Sequence, residues 1–243
     1  MNESIKVLDY NVQIVKAGKF RKKIEAFWGE GRVQSILFLS VPILEQVMIS
    51  PEYAERIGKF DLLFPGEEKV LTMYPVEEYR EKHILMNEAY LEEILHFIER
   101  HGYTMYVVGD RYEKVQGFLS YCKCEFHKLQ IVGSFVGGEQ MDDDSLLNDI
   151  NVTCPDIILT SIEPQLQENW IIKNLDKLNG RVCIGADVII QGMLDRYQQQ
   201  IQRESHSKIY NRYLDWKTSM LEGFQMRTFR SNYEQYMKQK GQG

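Results

Sequence analysis

Short apolar runs alternate with stretches of helical spacing along most of the chain. Ile5–Val12 and Ser35–Leu39 read as strands, with a helix over Phe20–Phe27 between them. Phe60–Phe64 is a further strand, closed by the turn pair Pro65-Gly66. Over Asn87–His101, Leu91, Ile94, Leu95 and Ile98 fall on one helical face, and Gly102 stands where a helix-ending glycine belongs. A βαβ unit follows: strand Tyr103–Val108, turn at Gly109, helix Tyr112–Tyr121, strand Leu129–Val132. The acids Asp142, Asp143 and Asp144 precede a helix over Leu146–Ile150, where negative charge suits the helix dipole. Strand Asp156–Thr160, helix Gln167–Leu175 and strand Val182–Ile184 complete the series.

Runs this short and apolar suit parallel strands covered on both faces. The pattern predicts an α/β fold: a Rossmann-like, mostly parallel sheet flanked by helices. Such sheets hold ligands beyond the carboxyl ends of their strands. Past Asp195 no strand is evident, and aromatic residues such as Tyr213, Trp216, Phe224, Phe229 and Tyr233 scatter through a helix-compatible stretch. The expected organisation is an α/β domain over 1–195 and a basic, aromatic helical appendage over 196–243.

Composition narrows the function. The chain has 243 residues, 44% of them hydrophobic, and a net charge of −6, which argues against nucleic acid as a partner of the main body. From residue 205 onward, seven Lys or Arg stand against three acids, so the tail is basic and the rest strongly acidic. Basic residues interleaved with aromatics suit either an anionic membrane surface or packing on the main domain or another subunit. The first ten residues carry no apolar secretory core, and no run reaches the roughly 18 apolar residues of a membrane span. Cys122, Cys124, Cys154 and Cys183 form no disulfide ladder or paired zinc motif, and the nearby His127 does not complete one. The expectation is a cytoplasmic protein, with the tail at the inner face of a membrane as the peripheral alternative.

From Gly102 to Gly192 the chain resembles the WecB/TagA/CpsF glycosyltransferase family. The centre of the match is Pro155-Asp156-Ile157-Ile158-Leu159-Thr160 followed by Gln167-Glu168-Asn169-Trp170-Ile171, similar to the family's strand, turn and helix start. Gly102 through Gly109, Gln130-Ile131-Val132-Gly133 through Gly137-Gly138, and Val182-Cys183-Ile184-Gly185-Ala186 with Gly192 fit its other strands and glycine turns. Leu214-Asp215-Trp216 resembles an element of its tail, with Arg227 and Arg230 where it carries basic residues.

The resemblance implies transfer of an N-acetylhexosamine-type sugar from a UDP donor to a lipid-linked acceptor in bacterial surface-polymer synthesis. It implies inverting chemistry with no metal and no cofactor beyond the UDP-sugar. A carboxylate must take the acceptor's proton, and cations or backbone N–H groups must hold the diphosphate. Glu67 is the candidate base and Gln167 its catalytic companion. Gly109, Gly137, Gly138, Gly185, Glu168, Arg227 and Arg230 are the candidate substrate-binding residues. Each has a structural alternative: fold-required turns for the glycines, helix capping for Gln167 and Glu168, a solvated face for the arginines.

Several family features are replaced. Leu39-Ser40-Val41-Pro42 lacks the family's Asn, and Phe64-Pro65-Gly66-Glu67-Glu68 has Gly66 where the base Asp aligns. Glu163-Pro164-Gln165-Leu166 replaces a glycine-led turn, Ile184-Gly185-Ala186-Asp187-Val188 shortens a glycine run, and Ser219 takes the first tail arginine's place. A catalytically silent subunit that pairs with an active transferase or with its own kind is therefore the second reading.

Overall fold

A computed structural model describes residues 4–71, 89–137, 143–205 and 226–240. In chain order the elements are β1 (Ser4–Val7), β2 (Tyr10–Gln13), α1 (Ala17–Ala26), β3 (Gln34–Leu39), α2 (Val41–Ile49), α3 (Pro51–Ile57) and β4 (Leu62–Pro65). They continue with α4 (Ala89–His101), β5 (Thr104–Gly109), α5 (Tyr112–Glu125), β6 (Gln130–Val136) and α6 (Asp143–Thr153). Then come β7 (Ile157–Ser161), α7 (Leu166–Asn174), β8 (Val182–Gly185) and α8 (Asp187–Ser205). Residues 226–240 form a further helix, α9.

The strands make one eight-stranded sheet in the order β1-β2-β4-β3-β8-β7-β5-β6. Every neighbouring pair is parallel except the β1–β2 hairpin at the edge. The fold is thus the Rossmann-like α/β architecture expected, with an antiparallel addition. Ile5–Val12 is two strands rather than one. The chain reverses at Leu8, whose φ of 52° is left-handed, and no glycine marks the turn.

Side chains alternate between two cores, as the period-2 geometry of a strand requires. On β5, Met105 and Val107 join the core built with Phe20 of α1, Leu91 and Ile94 of α4, Phe118 of α5 and Ile189 of α8. Tyr106 and Val108 enter the opposite core with Leu44 of α2, Tyr53 of α3, Leu146 of α6 and Trp170 of α7. Strands β3, β7 and β8 are buried at every position, which explains the apolar runs Ile36–Leu39, Ile157–Leu159 and Val182–Ile184 within them.

Two consequences bear on the site. From the carboxyl end of β5 the chain moves onto one face through α5 and out to β6. From the carboxyl end of its neighbour β7 it moves onto the other face through α7 and inward to β8. Adjacent strands whose following helices diverge this way leave a crevice between them. Helix α9 returns to the first half of the molecule: Phe229 is buried in the α2–α3 core, and Lys240 pairs with Asp9 of the β1–β2 turn. Helix α8 runs unbroken through residue 195. Among the described residues, no helix is long and apolar enough to cross a membrane.

Candidate functional site

A cleft of about 370 Å³ opens at the divergence of β5 and β7. Its wall is contributed by Asp110 and Arg111 after β5, Gly137 after β6, Glu163 after β7, and Asn169, Trp170 and Lys173 on α7. That volume lies in the range that holds small ligands.

The floor is tied together by buried charge. The side chain of Lys114 is only 4% exposed, and its Nζ lies 2.5 Å from Asp187 Oδ1 and 3.1 Å from Asp110 Oδ1. Ser161 Oγ donates to the same Asp187 oxygen at 3.1 Å, and the Glu163 N–H donates to Asp110 Oδ2 at 2.8 Å. One lysine thus links the carboxyl ends of β5, β7 and β8. Removing it would strand two carboxylates with little water to solvate them.

At the rim, Lys173 Nζ pairs with Asp143 Oδ2 at 2.5 Å, and Arg111 Nε lies 3.7 Å from Asp110 Oδ1. Three carboxylates and two cations line the opening, so its net charge is slightly negative.

Gln167 and Glu168 begin α7 and are buried. Gln167 Oε1 lies 3.0 Å from Thr160 Oγ1, and its Nε2 donates to Glu168 Oε1 at 3.4 Å. A Cβ at Gly185 would stand 3.0 Å from Gln167 Nε2 and 2.7 Å from Leu37 Cδ1, so the glycine lets this amide lie against the end of β8. Glu168 Oε2 accepts from the Gln165 N–H at 2.5 Å and from Tyr53 OH at 2.9 Å. Gln165 completes a reciprocal capping box from a φ of 75°, a conformation that costs a non-glycine residue energy. Burial raises the Glu168 carboxyl above its ordinary value, opposed by the Tyr53 and Gln165 hydrogen bonds.

A second group surrounds the ends of β3 and β4. Glu67 Oε1 accepts from the Val41 N–H at 2.6 Å, at the N-terminus of α2. Ser40, the residue before α2, is 4% exposed, and its hydroxyl finds no partner among the described residues. At Gly66 an added Cβ would lie 2.3 Å from Val188 Cγ1 and 2.9 Å from Leu39 O, so Val188 of α8 fills the place of any side chain there.

The site residues expected from sequence are therefore spread over three places. Gly109 and Gly137 meet at the cleft, where the Gly137 N–H donates to Gly109 O at 2.9 Å. Gln167, Glu168 and Gly185 lie beneath it, and Glu67 lies at the end of β4. Arg227 and Arg230 are exposed on α9. Gly138, Leu214, Asp215, Trp216 and Ser219 fall outside the described residues. The sequence pattern assigns no role to Asp110, Arg111, Lys114, Trp170 or Lys173. The i, i+4 spacing of Asp110 and Lys114, straight after the glycine ending a strand, was the available signal. Among the described residues, no group of three or more His, Cys, Asp or Glu side chains gathers to hold a metal. Cys122 is buried, which pushes its thiol up to about 12, while Cys124 is exposed.

A parallel sheet covered on both faces, with a cleft of this size at its switch point, places the chain among the Rossmann-like α/β proteins. Residues 5–205 match the family model described as Glycosyl transferase WecG/TagA/CpsF family, and the chain belongs to that family. No curated protein matches it.

Proposed function

We propose that this chain is a divergent glycosyltransferase that moves an N-acetylhexosamine-type sugar from a UDP donor to a lipid-linked acceptor, in the synthesis of a bacterial cell-surface polysaccharide. The observation that carries the reading is the cleft at the β5–β7 switch point, within the residues matched by the family model. The donor occupies this cleft. Gly137 brings backbone to its wall beside Gly109, and Gly185, Gln167 and Glu168 fix the start of α7 beneath it; Gly138, the further glycine expected to bind substrate, lies outside the described residues.

In the reaction, the acceptor hydroxyl oxygen attacks the anomeric carbon and the bond from that carbon to the diphosphate breaks. The hydroxyl proton passes to a carboxylate, and UDP departs with the bonding pair. Glu67, at the end of β4, is the carboxylate we assign to the proton, met by the sugar end of a donor that extends from the cleft across the ends of β8 and β3. Its contact with the Val41 N–H fixes one oxygen at the end of β4. Arg111 at the cleft rim supplies positive charge for the diphosphate, and Arg227 and Arg230, exposed on α9 away from the cleft, supply it for an anionic membrane surface. The lipid-linked acceptor places the enzyme at the inner face of that membrane.

The test is turnover of a UDP-N-acetylhexosamine by the wild type and by Glu67→Gln. Loss of a general base lowers the rate by roughly 10²- to 10⁴-fold. Unchanged turnover in the variant would remove Glu67 from the role. A second reading, a silent subunit that partners an active transferase, is favoured by Val188 filling the space at Gly66, where the family's Asp aligns. UDP binding without turnover, together with capture of a second transferase, would support that reading.

A further inference from the structure

Two polar atoms in the wall of the switch-point cleft are buried without a hydrogen-bond partner among the described residues: Trp170 Nε1 and Asp110 Oδ1. Trp170 is 4% exposed, and the side chain of Asp110 is 10% exposed. An indole N–H can only donate, and a carboxylate oxygen can only accept. Burying either without a hydrogen bond is costly, and both residues line the cleft, so a group that enters it can supply the missing partners.

The carboxylate is rigidly held. Its Oδ2 accepts from the Glu163 N–H at 2.8 Å. Lys114 Nζ, 3.1 Å from Oδ1, and Arg111 Nε, 3.7 Å from it, compensate its charge. Neither ion pair meets hydrogen-bond geometry, so Oδ1 keeps capacity for a donor. A phosphate would satisfy the indole but bring negative charge towards Asp110. The complement of one donor and one ionised acceptor is a group with a carbonyl oxygen next to an N–H.

We propose that Trp170 and Asp110 together read an amide or imide group of the donor substrate: its carbonyl oxygen accepts from Trp170 Nε1, and its N–H donates to Asp110 Oδ1. This rests on the cleft being the donor site. A UDP-N-acetylhexosamine carries the chemistry twice, at N3–H and a flanking carbonyl of uracil and in the acetamido group of the sugar.

Calorimetric titration of the full chain with UDP, CDP, UDP-N-acetylglucosamine and UDP-glucose separates the two sources, in the wild type, Asp110→Asn and Trp170→Phe. If uracil is read, the wild type prefers UDP to CDP by at least about tenfold, the equivalent of one hydrogen bond. Asp110→Asn then abolishes that preference. If the acetamido group is read, the same holds for UDP-N-acetylglucosamine over UDP-glucose. The readout is a ratio between ligands, which a general loss of structure does not move selectively. Asp110→Asn preserves shape and decides the matter even if thermal unfolding shows Trp170→Phe to be misfolded. A wild type that discriminates within neither pair, or discrimination that survives Asp110→Asn, overturns the inference while the donor site stands. If none of the four binds at millimolar concentration, the donor-site reading fails and the inference falls with it.

Discussion

An added Cβ at Gly66 would lie 2.3 Å from Val188 Cγ1 and 2.9 Å from the Leu39 carbonyl oxygen. An aspartate cannot simply be placed at this position, because Val188 of α8 fills the space its side chain would need. Gly66→Ala should destabilise the chain by about 1–3 kcal/mol, the usual cost of overpacking. Val188→Ala in the same chain should return part of that loss. Urea denaturation checks both, and an unaltered midpoint in the single variant would contradict the packing. Other residues were only half legible in the sequence. The position of Gln167 and Glu168 at a helix start was readable from the residues. Their burial was not, because it depends on Thr160, Gly185 and Tyr53, which lie on three other elements. Lys114 gave the weakest signal of all. In the sequence it is one more charge on an amphipathic helix, and only the convergence of three strand ends makes it the centre of the floor.

The capping of α7 joins elements far apart in the chain. Glu168 accepts from its own helix start and from Tyr53 of α3, so one carboxylate ties α3 to α7 below the cleft. Burial raises its carboxyl above the ordinary 4.5, against the pull of those hydrogen bonds. The folded state therefore holds a proton that the unfolded chain has released. Stability from this group is greatest below the unfolded value and declines as pH rises through the folded one. Glu168→Gln keeps an acceptor for the cap and removes the titration. The wild type should lose stability relative to Glu168→Gln as pH rises from 4.5, measured by denaturant midpoints across the range. Parallel profiles would contradict the assignment. At this scale the apolar runs were good guides: β3, β5, β7 and β8 lie where the pattern placed them. The periodicity does not predict helices α2 and α3, although Ser40 with Pro42 and Ser50 with Pro51 are helix-start signals. The sequence of α2 is strongly apolar and lacks a clear polar face, and α3 has only seven residues, too few to show a helical period.

For the whole molecule, the decisive fact is strand order. Local periodicity says which segments are strands but carries no information about which neighbours they take. The divergence of β5 and β7, and the cleft it creates, thus became visible only in three dimensions. So did the return of α9 to the α2–α3 core, where burial of Phe229 contributes on the order of 1.5–3 kcal/mol. The tail's basic and aromatic composition was plain in the sequence, but its docking surface was not. The central claim is that the switch-point cleft takes the UDP donor, and the three tryptophans of the chain allow a direct test. Trp170 lines the cleft, whereas Trp28 packs against Tyr103 and Arg181, next to the amino ends of β5 and β8. In nitrogen-15 spectra recorded during a UDP titration, with assignment by Trp170→Phe, the Trp170 indole signal should shift saturably while that of Trp28 stays in place. A Trp170 signal unmoved at millimolar UDP, or movement of Trp28 alone, would contradict the account.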